Sequence, residues 1–192
     1  MDDSLLTQLK IMPLNMLHKV KKFSGGKKEF QPLKSFLQQD ALAFQKGFIG
    51  RTYVAVNDSI RKDKCIPSSQ FPYTVLGYIT LTCSEIDFDG YGLSDCRRAG
   101  RYQFLPAVKI ARLAVDAKIR AAGIGSILFQ QAIVIAADYI LPYVGGRFLI
   151  TEAKREAMDF YHRKGMRLLD TEENHRSTHP LMYMDLVTLL DS

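Results

Sequence analysis

Residues 107–115 read Ala-Val-Lys-Ile-Ala-Arg-Leu-Ala-Val, an apolar stretch with little alternation, and Arg120-Ala-Ala-Gly123-Ile-Gly125 follows shortly after it. A strand of that kind is expected to be covered on both faces and so to lie at the centre of its sheet. Beyond the glycines, Ile124, Ile127, Leu128, Ala132, Ile135, Ala136 and Tyr139 recur at helical spacing and mark one face of a long helix, which Pro142 and Gly145-Gly146 are expected to end. A doubly covered strand leading through a glycine turn into a long helix requires layers of helix on sheet. The chain is therefore expected to be an α/β domain.

The same turn is a place to hold phosphate. The first N–H groups of a helix have no intrahelical partner, the helix dipole favours negative charge there, and glycines let a backbone approach an anion closely. Two familiar phosphate motifs are excluded. A Rossmann fingerprint needs a third glycine where Leu128 stands, and a P-loop needs G-K-[ST], which the chain lacks.

The remaining pattern surrounds this unit with strands and short helices. A first strand is expected over residues 6–12, ended by Pro13, and a Lys- and Gly-rich loop over 19–29. Leu33, Phe36, Leu37, Ala41 and Phe44 then predict a helix or helix pair over 32–46. Arg51-Thr-Tyr-Val-Ala-Val56 and the longer stretch over 73–82 read as strands of a hairpin with a long connection. The loop over 85–106 is too long for a mere connector. Further on, Phe148-Leu-Ile-Thr151 reads as a strand and 154–164 as a short helix with Gly165 at its C-terminal end. Met166–Leu169 and Leu181–Leu186 are the last two strands, separated by a polar loop containing His175 and His179. No repeat or second domain is evident, so residues 1–192 are expected to form one domain.

Of the 192 residues, 26 are Lys or Arg and 20 are Asp or Glu, a net charge of +6. The excess is clustered: Lys19, Lys21, Lys22, Lys27 and Lys28 surround Phe23-Ser-Gly-Gly26, and Arg97, Arg98 and Arg101 share one loop. Such clusters suit a polyanion such as nucleic acid or a solvated surface equally well. Cys65, Cys83 and Cys96 are odd in number and widely spaced, which argues against a disulfide framework and a structural zinc site. No metal site is expected. With no signal-peptide pattern at Met1-Asp-Asp-Ser-Leu-Leu and no continuous apolar run of about 18 residues, a cytoplasmic protein is expected.

A second chemical string is Ala157-Met-Asp-Phe160-Tyr161-His-Arg-Lys-Gly165-Met166. It predicts a short amphipathic helix with a tyrosine near its C-terminal end. A tyrosine hydroxyl is uncharged at neutral pH and can donate a proton to a developing anion. Taken alone, this helix reads more simply with Phe160 and Tyr161 as core aromatics.

Together, a strand, R-x-x-G-x-G opening a long helix, a strand, and a short helix with F-Y-x-x-x-G resemble the GNAT acetyltransferase superfamily over at least residues 50–187. Within it, Arg51-Thr-Tyr-Val-Ala-Val56, Leu105-Pro106 and Ala111-Arg-Leu-Ala-Val-Asp116 look like the GNAT toxins of bacterial toxin–antitoxin pairs. The helix with Leu33, Phe36 and Leu37 fits that family's early helix, with extra Lys- and Gly-rich residues before it. The resemblance implies a GNAT fold, with a mixed, mostly antiparallel sheet of six to seven strands flanked by about four helices and with splayed central strands.

The resemblance also implies a chemistry. Acetyl-coenzyme A would be the donor, its diphosphate held by Arg120, Ala121, Ala122, Gly123, Ile124, Gly125 and Ser126, and its pantetheine arm would run along Leu113, Ala114 and Val115, with Phe160 also lining it. Tyr161 would protonate the departing thiolate. The acceptor would be the α-amino group of aminoacyl-tRNA, reached by Arg97, Arg98, Arg101, Lys27 and Lys28. A ribbon-helix-helix antitoxin would be the protein partner, and a homodimer is possible. Glu152 is a candidate contact to the amine or a water, and a surface carboxylate otherwise; His162, His175 and His179 have no spacing that implies a triad or metal site. A small amine or a protein amine is the alternative acceptor, and a non-catalytic coenzyme-binding protein the alternative to an enzyme.

Overall fold

The computed structural model describes residues 7–61, 65–87, 93–120 and 122–190. Seven strands form one mixed sheet, β1 (Leu9–Pro13), β2 (Arg51–Asn57), β3 (Gly77–Asp87), β4 (Phe104–Val115), β5 (Phe148–Glu152), β6 (Arg167–Leu168) and β7 (Leu181–Asp185), in the order β1-β2-β3-β4-β5-β7-β6. The apolar strand of the opening motif is thus the fourth of seven. β4 and β5 run parallel, while β1–β2, β2–β3, β5–β7 and β6–β7 are antiparallel. The chain divides into two compact units, Met1–Leu81 with Arg112–Ala132, and Thr82–Ala111 with Ile133–Ser192.

In the first unit, α1 (Gln31–Ser35) passes through a π-helical turn, Phe36–Asp40, into α2 (Ala41–Lys46). The expected apolar face is the buried one: Phe36, Leu37 and Ala41 pack with Met12, Leu14, Phe23, Val54, Val56 and Tyr78. Phe36 stacks on Tyr78 at 6.4 Å between centroids and meets Phe44 edge-on at 5.3 Å, while the Arg112 guanidinium lies 3.7 Å from its ring centroid. The Tyr78 hydroxyl donates to the Leu33 carbonyl at 2.7 Å, which satisfies the polar end of a fully buried ring. Inside the β2–β3 ladder, the hydroxyls of Thr52 and Thr80 pair at 2.9 Å.

The ladder of β3 starts at Gly77, four residues later than the β-rich sequence at Tyr73 implies. Residues 73–76 approach it irregularly, with Leu76 N–H bonded to Ala55 O at 2.9 Å.

In the second unit, Ala107, Val108 and Lys109 pair with Phe148, Leu149 and Ile150. Ile86, Leu93, Ala107, Phe148, Ile150 and Leu169 form its core. Arg147 joins two carboxylates: Nη1 and Nη2 donate to Asp95 at 2.7 and 3.0 Å, and Nη2 donates to Asp185 at 2.6 Å. The polar loop before β7 holds a helix that periodicity does not reveal, α6 (Glu172–Arg176). Its signal is capping, with Thr171 Oγ1 accepting from Asn174 N–H at 3.1 Å and Glu172 and Glu173 in the first turn. Asn174 then secures β7: Nδ2 donates to the carbonyls of Leu169 and Leu181, and Oδ1 accepts from Leu181 N–H at 2.6 Å.

The long helix runs from α3 (Ile124–Val134) through a π-helical turn, Ile135–Ile140, to α4 (Leu141–Val144). Pro142 does not stop it. Proline lacks an N–H and crowds the preceding turn, and the wider π-helical turn accommodates that residue. The helix ends at Gly145, whose φ of +81° suits glycine. Ile124, Leu128, Ala132 and Ala136 are buried as expected, but Tyr139 is 65% exposed, because the π-helical turn rotates the face it was expected to share. The 21 residues Ile124–Val144 are long and apolar enough to cross a membrane; Ile124, Leu128, Phe129, Ala132 and Ala136 are buried in the fold, while most of the apolar stretch is not.

Candidate active site

The glycine turn is built on Asp116, the residue after β4. Its buried carboxylate accepts from Lys118 N–H through Oδ1 and from Ser24 N–H through Oδ2, each at 2.9 Å. This caps a 3-10 turn, Ala117–Ile119, whose last carbonyl accepts from Ala122 N–H at 3.3 Å. Gly123 follows with φ +81°, a left-handed conformation that favours glycine, and its carbonyl accepts from the N–H groups of Ser126 and Ile127. The expected anion donors are thereby narrowed to the N–H groups of Gly123, Ile124 and Gly125 at the helix start. Ala122 N–H and Ser126 N–H are engaged within the chain, and Ala121 lies outside the described residues.

Gly77 sets how closely the helix lies on β3. A Cβ there would come within 3.0 Å of Leu128 Cδ1 and 3.1 Å of both Ile124 Cγ2 and Ala114 O. Leu113, Ala114 and Val115 are half-buried at the end of β4, beyond its register with β5, which runs from Ala107 to Lys109. Arg120 is turned toward the Lys- and Gly-rich segment rather than standing alone beside the helix start. Its Nη2 donates to Gly25 O, and its guanidinium lies 4.6 Å from the Phe30 ring centroid.

Tyr161 belongs to α5 (Met158–His162), which a 3-10 turn, Arg155–Ala157, precedes. Gly165, at φ +86°, bonds back to His162 O, and Met166 N–H bonds to Tyr161 O. Tyr161 is 7% exposed and packs edge-on against Phe160, with centroids 5.1 Å apart. Burial pushes its phenol up to about 12, and a hydrogen bond with Thr151 pulls modestly the other way. Thr151 in turn donates to Ile110 O at 3.0 Å. The hydroxyl is a proton donor that stays protonated at neutral pH. Phe160 is half-buried, with Lys164 Nζ 5.9 Å from its ring.

Glu152 is paired with Lys109, Nζ to Oε1 at 2.8 Å. It also lines an open groove of about 590 Å³ with Asp87, Thr171, Glu173 and His179. The sequence gives no sign of this groove, because its carboxylates are far apart along the chain. Among the histidines, His162 Nδ1 faces Met166 O, His175 meets Asp170 at 2.7 Å and His179 meets the Thr178 hydroxyl. Arg97, Arg98 and Arg101 share an exposed 3-10 turn, Arg97–Arg101, near the Asp95 that Arg147 holds. Lys27 and Lys28 are exposed at the turn Lys28–Phe30, with Lys27 3.7 Å from Glu29.

Solved structures match 96% of the chain. A tyrosine-to-phenylalanine mutant of KacT superimposes with a TM-score of 0.77 at 24% identity, covering 96% of this chain and 98% of that one. The fold is the GNAT fold of these toxins. AtaT complexed with acetyl-methionyl-tRNAfMet matches with a TM-score of 0.73 at 22% identity, over 96% and 99% of the two chains. An AtaT tyrosine-to-phenylalanine mutant bound to the C-terminus of the antitoxin AtaR and acetyl-CoA matches at 0.71 and 21% identity, over 96% and 99%. No protein-family profile and no curated protein sequence matches. The GNAT fold accounts for the mixed sheet and the parallel pairing of β4 with β5.

Proposed function

We propose that the protein is an acetyl-CoA-dependent N-acetyltransferase that acetylates the α-amino group of aminoacyl-tRNA and so blocks translation, acting as the toxin of a cytoplasmic toxin–antitoxin pair. The observation that carries this reading is the Arg120-Ala-Ala-Gly123-Ile-Gly125 turn at the start of a long helix in a chain with the GNAT fold. AtaT, which shares that fold, has been solved with acetyl-methionyl-tRNAfMet.

The N–H groups of Gly123, Ile124 and Gly125 would receive the donor's diphosphate. The backbone of Leu113–Val115 would pair with the pantetheine amides as an added strand does, and a strand N–H would polarise the thioester carbonyl. A neutral amine adds to that carbonyl, the tetrahedral oxyanion collapses with loss of the C–S bond, and the sulfur takes the proton of the Tyr161 hydroxyl. The proton lost by the amine passes to water, and water returns one to the Tyr161 phenolate, which closes the cycle. Arg97, Arg98 and Arg101 supply a basic surface for the tRNA backbone. An antitoxin of the ribbon-helix-helix class and a homodimeric toxin complete the proposed assembly.

A small cationic amine is the second acceptor class, because Asp87, Glu152 and Glu173 line one groove. Labelled acetyl-CoA incubated with total charged tRNA and, separately, with a polyamine panel separates the two. Label on aminoacyl-tRNA, with arrest of a cell-free translation extract, is expected. Label on the polyamines alone, with translation intact, refutes the toxin reading.

A further inference from the structure

The Lys- and Gly-rich segment before α1 is attached to the glycine turn through Ser24, Gly25 and Phe30. Ser24 N–H donates to Asp116 Oδ2 and Ser24 O accepts from Ala117 N–H, both at 2.9 Å. Gly25 O accepts from Arg120 Nη2, and Phe30 lies under the same guanidinium. Two glycines make the approach possible. At Gly26, φ +78°, a Cβ would stand 2.9 Å from Ala117 Cβ, and at Gly25 a Cβ would stand 2.9 Å from Phe30 O. Lys27 and Lys28 follow this seat directly in the chain and are exposed, as are Lys118 and Arg120 of the turn itself. Against these four cations stand Asp116, whose oxygens are both occupied by backbone N–H groups, and Glu29, which lies 3.7 Å from Lys27.

A solvated lysine pair on a free loop needs no ligand. Here the residues just before the pair, Ser24 and Gly25, are bonded to the turn that leads into the helix start, so the two lysines follow directly from a segment seated on that turn. A diphosphate already has the helix N–H groups. The surplus cations suit a second phosphate group one ribose away, and a phosphate monoester, with nearly two negative charges at neutral pH, gains most from lysine.

We propose that residues 24–30 form a second phosphate subsite, with Lys27 and Lys28 binding the 3′-phosphate on the nucleotide end of coenzyme A. It rests on the donor reading given above, and it makes the segment a determinant of donor specificity: the protein would distinguish coenzyme A from its 3′-dephospho form. Phosphates of the acceptor's backbone are the other source of the same chemistry.

Calorimetric titration with coenzyme A, 3′-dephospho-coenzyme A and uncharged tRNA at one fixed salt concentration tests it. Wild type is expected to bind coenzyme A about tenfold more tightly than the dephospho form. In Lys27→Ala/Lys28→Ala the preference should vanish through loss of affinity for coenzyme A alone, and Lys27→Arg/Lys28→Arg should restore it. Equal binding of the two coenzymes by wild type overturns the proposal while leaving the turn intact as a diphosphate site. A preference that survives the alanine pair, with tRNA binding weakened instead, overturns it in favour of the acceptor. Failure to bind either coenzyme overturns the donor reading itself.

Discussion

Replacing Tyr161 by phenylalanine removes one oxygen and separates stability from catalysis. The ring is 7% exposed, so its packing, including the edge-on contact with Phe160, is retained. What is lost in the fold is the hydrogen bond with Thr151, about 1 kcal/mol net. For a chain of this size that lowers Tm by roughly 2–4 °C. Loss of a proton donor to the leaving thiolate costs about 10²–10⁴ in rate, equivalent to ~2.7–5.5 kcal/mol of barrier. The two effects differ enough to be read apart. Thermal unfolding and release of coenzyme A thiol, followed with a thiol reagent, are the assays.

The pH profile adds a sign. The folded phenol is raised to about 12 from an ordinary value of 10, so the folded state keeps the proton longer than the unfolded one. Donor capacity is complete through neutral pH and disappears only as pH rises through about 12. By linkage, this group's stability contribution is full below pH 10 and falls between 10 and 12. A Tyr161→Phe enzyme with wild-type thiol release at pH 7.5, or a wild-type rate that declines around pH 10 because of this residue, refutes the assignment.

Arg147→Met leaves Asp185 without its guanidinium partner and should cost about 2–4 kcal/mol, whereas Asp95→Asn, at the exposed end of the same ion pair, should cost under about 1 kcal/mol; denaturant titration distinguishes them. Asn174→Leu removes the bridge to the carbonyls of Leu169 and Leu181 and should destabilise by about 2–3 kcal/mol, with exchange of the β7 amides accelerated. Asp116→Ala unties Ser24 and Lys118 from the turn and should weaken coenzyme binding about tenfold, measured by calorimetry, while circular dichroism at 25 °C remains that of the wild type.

The centre of the fold was legible because its signals are local. An apolar strand, a glycine needing positive φ and a helical period lie consecutively in residues 107–136, and each has one physical reading. The face of the long helix was misread at Tyr139 because a π-helical turn changes the rotation per residue without leaving a mark in the composition. Helix α6 was missed since five residues cannot display a period, although Thr171 carried a capping signal. Tyr161 stood out by its place before Gly165, and its burial fits the core-aromatic reading of the same helix; its catalytic part is a proposal. Least legible were the sites made by distant partners: the groove of Asp87, Glu152 and Glu173, and the attachment of Gly25 to Arg120. Both depend on tertiary neighbours that no spacing in the chain encodes.

Gly77 gives the phosphate turn a vulnerability that its own residues do not reveal. Three contacts closer than 3.2 Å await any methyl placed there, two of them on the helix that begins at the turn. Even alanine would require Leu128, Ile124 and Ala114 to give by tenths of an ångström, and a branched side chain would require more. At the proposed donor site, affinity would therefore be graded from beneath, by the bulk of one strand residue, while Gly123, Ile124 and Gly125 remain unaltered. A lineage carrying this chain could lose its donor before any recognition residue had mutated.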